Sequence, residues 1–336
     1  MNWLITGGCG FIGASLIKEL LTEGGHSIRV IDNLSVGTLE DLKSIANVVN
    51  LAPDQLNFEN ESSSIELVVG DILDFSLAFK MVINCDVVVH LAANTGVGPS
   101  VEDPEKDMMV NVCGTFNYLE ASRHSSVKKF IFASSGAPIG ECIPPIHEEM
   151  APHPVSPYGA SKLSGEGYCS AFFRTYGLQT ITLRFGNVYG PRSGRKNSVV
   201  AKFIKNALED RDLEIFGDGT QTRDFIFIGD LVNAIKCSAA VSDIGGEIFQ
   251  IATNAETTVG ELVDLLVSTL NARGFKHVKI RNTFNRKGDV MRNYSDTSKA
   301  KHYLGWSSQT NLQDGLNKTV DWFLADNKLN NQKLLG

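Results

Sequence analysis

The amino-acid sequence predicts a doubly wound parallel α/β fold with a smaller C-terminal substrate-binding lobe, on three observations. Short apolar runs rich in β-branched residues recur at residues 3–5, 28–31, 67–69, 87–89, 130–132 and 181–183; runs apolar on both faces are what buried parallel strands require. Amphipathic stretches at 13–21, 111–123 and 158–176 alternate with them, giving a βαβαβ rhythm. Beyond Gly186 that rhythm breaks into Gly- and Arg-rich loops at 190–193 and 217–223, with helices expected over 199–208 and 259–270. The polar, aperiodic segment 53–64 reads as a surface excursion between the second and third strands.

The first run leads at once into an unusual turn. Residues 4–13, LITGGCGFIG, hold four glycines between a strand and a helix, although a tight turn needs only one to supply a positive φ. Gly7, Gly10 and Gly13 form a compact variant of the dinucleotide fingerprint: such glycines allow the bend, let backbone N–H groups approach a pyrophosphate, and let the helix pack on the sheet. The next strand ends in Asp32, 19 residues after Gly13. An acid there hydrogen-bonds the adenosine ribose and repels the extra phosphate of NADP, so the expected cofactor is NAD. Cys9 reads as a bystander whose thiol could make the turn sensitive to alkylation.

Composition narrows the class. The chain has 336 residues, 43% hydrophobic and 21% charged, with a formal net charge of -7, which argues against a nucleic-acid surface. Six scattered cysteines without a CxxC pair suit reduced thiols and no zinc site. With no apolar run of membrane-spanning length and a strand at its start, the protein is expected in the cytoplasm, away from membranes. His147 and His153 in HEEMAPH match no common metal-ligand spacing and read as loop histidines.

Catalytic chemistry is legible further along. Tyr158 has Lys162 four residues later, on one helix face. A phenol is a poor base at neutral pH, and a neighbouring ammonium, helped by a positive nicotinamide, is expected to bring its pKa towards the working range. Ser134 and Ser135 follow the 130–132 strand, at the carboxyl edge where such sheets bind ligands. A serine there can hydrogen-bond the oxygen that the phenolate deprotonates.

TGGCGFIG, Asp32-Asn33-Leu34-Ser35, Gly70-Asp71-Ile72, His90-Leu91-Ala92-Ala93, Ser134-Ser135, Tyr158-Gly-Ala-Ser-Lys162 and Arg184-Phe-Gly-Asn187-Val-Tyr-Gly-Pro191 occur in that order over nearly the whole chain. The sequence thereby resembles the extended short-chain dehydrogenase/reductase family, and within it the nucleotide-sugar 4-epimerases of the UDP-glucose type. The resemblance implies a Rossmann NAD-binding domain over 1–186, with 224–254 returning to it, and a mainly nucleotide-sugar-binding lobe over 187–336. It implies NAD contacts from Gly7, Gly10, Phe11, Ile12, Gly13, Asp32, Asn33, Ser35, Asp71, Ile72, Leu91, Ala92 and Ala93, with Lys162 on the nicotinamide ribose, Tyr158 as base and Ser135 as its partner. Asn187, Arg223, Arg286 and Asp289 are implied on the nucleotide diphosphate and its ribose, Phe216 elsewhere in the substrate site, and Thr95, Ser134 and Ser135 nearer the sugar. Arg195 and Arg211 read as solvated surface charges. A homodimer through paired helices 111–123 and 158–176 is also implied.

Dehydratases and decarboxylases of that family carry an acid just after the strand-end Ser/Thr, whereas this chain has Gly136-Ala137. Reversible hydride transfer at C4 of a UDP-sugar, through a transient 4-keto intermediate, is therefore the expected chemistry. A nucleotide-sugar 4-ketoreductase and a UDP-uronic acid 4-epimerase share the same residues and remain alternatives. Intact Tyr158 and Lys162 speak against an inert NAD-binding scaffold. Where the family commonly has an aromatic, Ile139 predicts altered packing without loss of chemistry, and Asn293, like Thr95, falls where relatives vary with the sugar.

Overall fold

The computed structural model describes residues 1–56, 64–275, 278–284 and 290–334, with side chains as far as Asn327. Its centre is an eight-stranded, wholly parallel sheet. The strands are β1 (Asn2–Thr6), β2 (Ser27–Asp32), β3 (Asn47–Asn50), β4 (Ser64–Val69), β5 (Val87–His90), β6 (Lys129–Ser135) and β7 (Gln179–Phe185), with β12 (Glu247–Ile251) added later from the chain. They lie in the order β3-β4-β2-β1-β5-β6-β7-β12. Strand order reverses between β1 and β5, so a crevice opens at their carboxyl ends.

Alternation along the strands explains why both faces are apolar. Ile5, Val30, Val89, Ile131 and Leu183 face one core with helix α1 (Phe11–Glu23). Leu4, Ile31, Val88, Phe130 and Phe132 face the other. That second core is covered by α3 (Phe75–Met81), α6 (Gly114–Arg123) and α7 (Pro157–Tyr176). Within the sheet, Arg29 of β2 and Glu66 of β4 are register neighbours and form a buried ion pair at 2.8 Å.

The edge strand β3 is absent from the sequence-based expectation, which ran from the second strand to 67–69 through an excursion. Its Asn-Val-Val-Asn is polar at both ends and only partly covered, as an edge strand can be, so it gives no two-sided apolar signal. Residues 57–63 of that excursion lie outside the described residues. Two further short helices are α2 (Leu39–Lys43), after β2, and α4 (Val97–Glu102), after β5. The expected helix 111–123 begins inside a π turn at Met109–Cys113 and continues as α6, with α5 (Pro104–Met108) running into it from before.

Past β7 the elements are shorter. Strand β8 (Asn187–Tyr189) runs parallel to β11 (Phe225–Phe227). The strands between them pair elsewhere: β9 (Leu213–Phe216) with Ile280–Thr283, and β10 (Thr222–Arg223) with Thr257–Thr258. Helix α8 (Val199–Leu208) has the bounds expected from sequence and buries Val200, Phe203, Ile204 and Ala207. Among the described residues no helix is long and apolar enough to cross a membrane.

Candidate active site

The glycine turn is built as a cradle. Gly7 has φ +68, and a Cβ there would lie 2.8 Å from the Ala92 nitrogen; one on Gly13 would lie 2.6 Å from the Gly8 Cα. Both positions therefore exclude a side chain. Gly10 caps α1 and no side chain caps its first turn, so the N–H groups around Phe11 and Ile12 face the crevice at the positive end of the helix. This arrangement fits a dinucleotide pyrophosphate. Asp32 reinforces it, since its Oδ2 accepts the Cys9 N–H at 2.9 Å and its Oδ1 the Leu34 N–H at 2.8 Å. Burial pushes that carboxyl up from its ordinary pKa, against the pull of the two backbone bonds.

Other expected cofactor residues gather along the same edge. Asn33 donates to Asp71 at 3.3 Å, and Asn33 Oδ1 accepts the Ser35 N–H. Ile72 is buried, with its carbonyl accepting from Asn117. The loop of Leu91, Ala92 and Ala93 is held by Thr6, whose carbonyl accepts the Leu91 N–H and whose hydroxyl accepts the Ala92 N–H.

Beneath that loop lies His90, fully buried, its imidazole driven down to about 3 by desolvation and then by Lys162. Its ring is therefore neutral, and its neighbours select the tautomer. Thr115 Oγ1 spends its hydrogen on the Asn111 carbonyl at 2.7 Å, so Nε2 must donate to Thr115 at 3.2 Å and Nδ1 accept from Thr6 at 3.0 Å.

The catalytic residues come from β6 and α7. Ser156 caps α7 through the Gly159 N–H, and Pro157 opens the helix. One turn in, Tyr158 and Lys162 share a face, with the Lys162 Nζ 5.9 Å from the Tyr158 ring centroid. Ser135 hydrogen-bonds Tyr158 and also accepts the Ala137 N–H. Lys162 is 3% exposed and donates to the Ala133 carbonyl at 2.8 Å; burial pulls its pKa down to about 8, opposed by Asp107 and Glu166.

The expectation for the Tyr158 phenol rests on the nicotinamide charge as well as on the Lys162 ammonium; the protein's own groups, on balance, act the other way. The Tyr158 phenol is pushed up to about 12: burial is the largest cause, Asp107 adds to it, and the Ser135 hydrogen bond opposes it. With the lysine's proton directed at Ala133, desolvation of the phenolate outweighs what the ammonium contributes.

Sequence reading missed the network behind this pair. Asp107 is fully buried; its Oδ2 accepts from Ser161 at 2.7 Å and its Oδ1 from Asn111 at 2.9 Å. Asn111, in the π turn, also clamps both backbone groups of Asn94. The signal was present, because Asp107 and Asn111 stand four apart and Ser161 adjoins Lys162. A second network occupies Ser134. Its hydroxyl donates to Glu166 at 2.5 Å, and Glu166 also takes a two-pronged bond from Arg184 at 2.9 and 2.7 Å. Ser134 is thus buried away from the crevice, and only Ser135 of the expected pair joins Tyr158.

The expected substrate residues are more dispersed. Asn187 is exposed at the start of β8, and Thr95 is exposed beyond Asn94. Phe216 ends β9, under the Lys202 ammonium. The Arg223 guanidinium donates to the Thr222 and Val290 carbonyls at 2.6 and 2.7 Å. A Cβ on Gly136 would lie 3.9 Å from the Asn293 amide, which brings Asn293 over the loop after Ser135. Arg286 and Asp289 lie outside the described residues. His147 and His153 are exposed, and no cluster of metal-ligating side chains occurs among the described residues. Arg211 is an exposed partner of Glu209, whereas Arg195, also exposed, reaches Asp41 at 2.9 Å and Thr38 at 3.2 Å.

A parallel sheet with a glycine-turn cradle, an acid closing the second strand, and a Ser-Tyr-Lys set at its carboxyl edge defines an NAD-dependent short-chain dehydrogenase-like enzyme. A family model for the NAD dependent epimerase/dehydratase family matches residues 3–252, and the chain belongs to that family. It is 36% identical to the UDP-glucose 4-epimerase of Thermotoga maritima, crystallised with UDP-glucose, with a TM-score of 0.85 over 97% of this chain and 99% of that one. The UDP-glucuronic acid 4-epimerase of Bacillus cereus, solved with UDP-glucuronic acid and NAD, is 30% identical, with a TM-score of 0.84 over 97% and 99% of the two chains. A UDP-glucose 4-epimerase of Mycolicibacterium smegmatis is 35% identical over 96% of this chain and 98% of its own. The cofactor is NAD.

Proposed function

We propose that this protein inverts C4 of a UDP-sugar through a transient 4-keto intermediate. The observation that carries the reading is the Ser135-Tyr158-Lys162 set followed by Gly136 and Ala137, with no acid where water elimination would need one. NAD, when bound, supplies the acceptor and donor of the C4 hydride and a positive ring whose charge favours the Tyr158 phenolate. Ser135 orients the C4 oxygen and Tyr158 takes its proton. The 4-keto sugar turns about its diphosphate linkage, and Tyr158 returns the proton once the opposite face is presented. Lys162 holds the nicotinamide ribose and balances the phenolate.

This cycle asks for a tightly held nucleotide and a loosely held sugar. We assign Asn187 and Arg223 to the nucleotide half, which makes the lobe after β7 mainly the substrate-binding one. Thr95 and Asn293, small and polar, border the sugar. The names of the relatives include glucose and glucuronic acid substrates, so the sugar is chosen by assay.

Purified protein, with no cofactor added, is incubated separately with UDP-galactose, UDP-N-acetylgalactosamine and UDP-galacturonic acid, and the products are resolved by chromatography. A C4 epimer is expected from at least one, and the fastest reaction names the sugar. Absence of any epimer even with NAD added would favour a 4-ketoreductase. Tyr158→Phe should lower turnover about 10²–10⁴-fold, the usual share of a general base, while UDP binding stays near normal.

A further inference from the structure

The loop 190–198, between β8 and α8, carries a lysine that the proposed chemistry leaves unused. Lys196 is half-buried. Its Nζ lies 3.4 Å from the Val188 carbonyl and 5.1 Å from the centroid of the Phe11 ring. Among the described residues no carboxylate pairs with it, and burial alone pulls its pKa down to about 8. A desolvated ammonium without an anion is costly to maintain, and a group so perturbed beside a crevice is a candidate functional residue.

Two further polar atoms of the same loop, Arg192 Nε and Ser198 Oγ, are buried without a hydrogen-bond partner among the described residues. From outside, the loop is fixed: Ser193 bonds the Gly190 carbonyl, Lys205 bonds the Lys196 carbonyl, and Arg195 reaches across to Asp41 and Thr38 beyond β2. Lys196 therefore stands on a held loop, between the first residue of α1 on one side and β8, with Asn187, on the other.

We propose that Lys196 is a diphosphate ligand whose ammonium takes a phosphate oxygen in the crevice. This extends the functional reading above and rests on it. The shared chemistry is a diphosphate, and it has two sources: the dinucleotide at the α1 turn, or the nucleotide sugar beside Asn187. A point charge on a flexible stem suits either.

The test compares wild type, Lys196→Met and Lys196→Arg, each checked for folding by circular dichroism, in two binding arms. One measures NAD release from the purified protein, the other UDP affinity by calorimetry. Lys196→Met should weaken one arm about ten-fold or more, as loss of a charged hydrogen bond does, and Lys196→Arg should restore most of it. The arm that responds names the diphosphate. A folded Lys196→Met protein that matches wild type in both arms overturns the proposal, as does an Arg variant no better than Met. Wild-type protein that binds NAD but not UDP would instead sink the UDP-sugar reading, while the NAD arm still judges Lys196.

Discussion

Tyr158 and Lys162 share one buried helix face, and the Asp107 carboxylate acts on both. The group that loses its proton first sits at about 8 and the other at about 12. The active form, with the phenol deprotonated and the lysine charged, has one proton fewer than the resting form. Activity is therefore expected to rise with pH along an acid limb, and Asp107 governs where that limb falls. Its carboxylate raises both groups, so Asp107→Asn should move the limb to lower pH in a kcat/KM profile. A limb that stays in place or moves up would show that Asp107 acts only through its bonds to Ser161 and Asn111. Cys9 reverses its sequence-based expectation at the same scale. It is 2% exposed, and burial together with the Asp32 carboxylate pushes its thiol far up, so it lacks the thiolate that alkylation needs. Iodoacetamide at pH 8 followed by peptide mass spectrometry should leave Cys9 and the equally buried Cys85 and Cys169 unlabelled, ahead of the partly exposed Cys113, Cys142 and Cys237.

At the scale of elements, the turn after β1 depends on a glycine that the motif does not contain. A Cβ on Gly37, in the loop between β2 and α2, would fall 2.1 Å from the Cys9 carbonyl oxygen and 2.8 Å from the Gly10 nitrogen. These are backbone atoms of the cradle and cannot rotate aside. Gly37→Ala should destabilise the fold by about 1–3 kcal/mol, the range for overpacking, and lower the NAD retained through purification. Gly98→Ala, where the added carbon meets nothing within 4 Å, is the matched control and should melt like wild type. The contrast shows why legibility was uneven. Strands with two apolar faces, the glycine turn and the Tyr158-Lys162 spacing are local patterns, each written within a few residues. Gly37 against Cys9, Asp107 against Ser161 and Ser134 against Glu166 are contacts between distant segments, and only packing creates them. Edge strand β3 failed for the opposite reason: too little of it is buried to leave a pattern.

For the whole molecule, the homodimer that the family resemblance implies would use a surface the fold leaves uncovered. Val97 and Val101 of α4, Met108 at the end of α5, Met109 in the π turn, and Tyr168 and Tyr176 of α7 are all exposed. Phe116 of α6 and Phe172 form edge-on ring contacts with Tyr168, and Phe172 continues to Tyr176, so the aromatic part of this face is continuous. Soluble monomers seldom leave so many large apolar side chains on neighbouring helices. Two-fold pairing would bury them on both copies at once. It would also brace α7, which carries Tyr158 and Lys162, and the π turn, whose Asn111 clamps Asn94. Light scattering is expected to give twice the chain mass of 36.6 kDa. Paired Met109→Glu and Tyr168→Glu changes should halve that mass, because a charge on each side of the pairing axis meets its own image. If pairing also braces the catalytic helix, the double variant should lose turnover while its sheet stays folded. A wild-type monomer at micromolar concentration would remove the dimer and leave this apolar face to another partner.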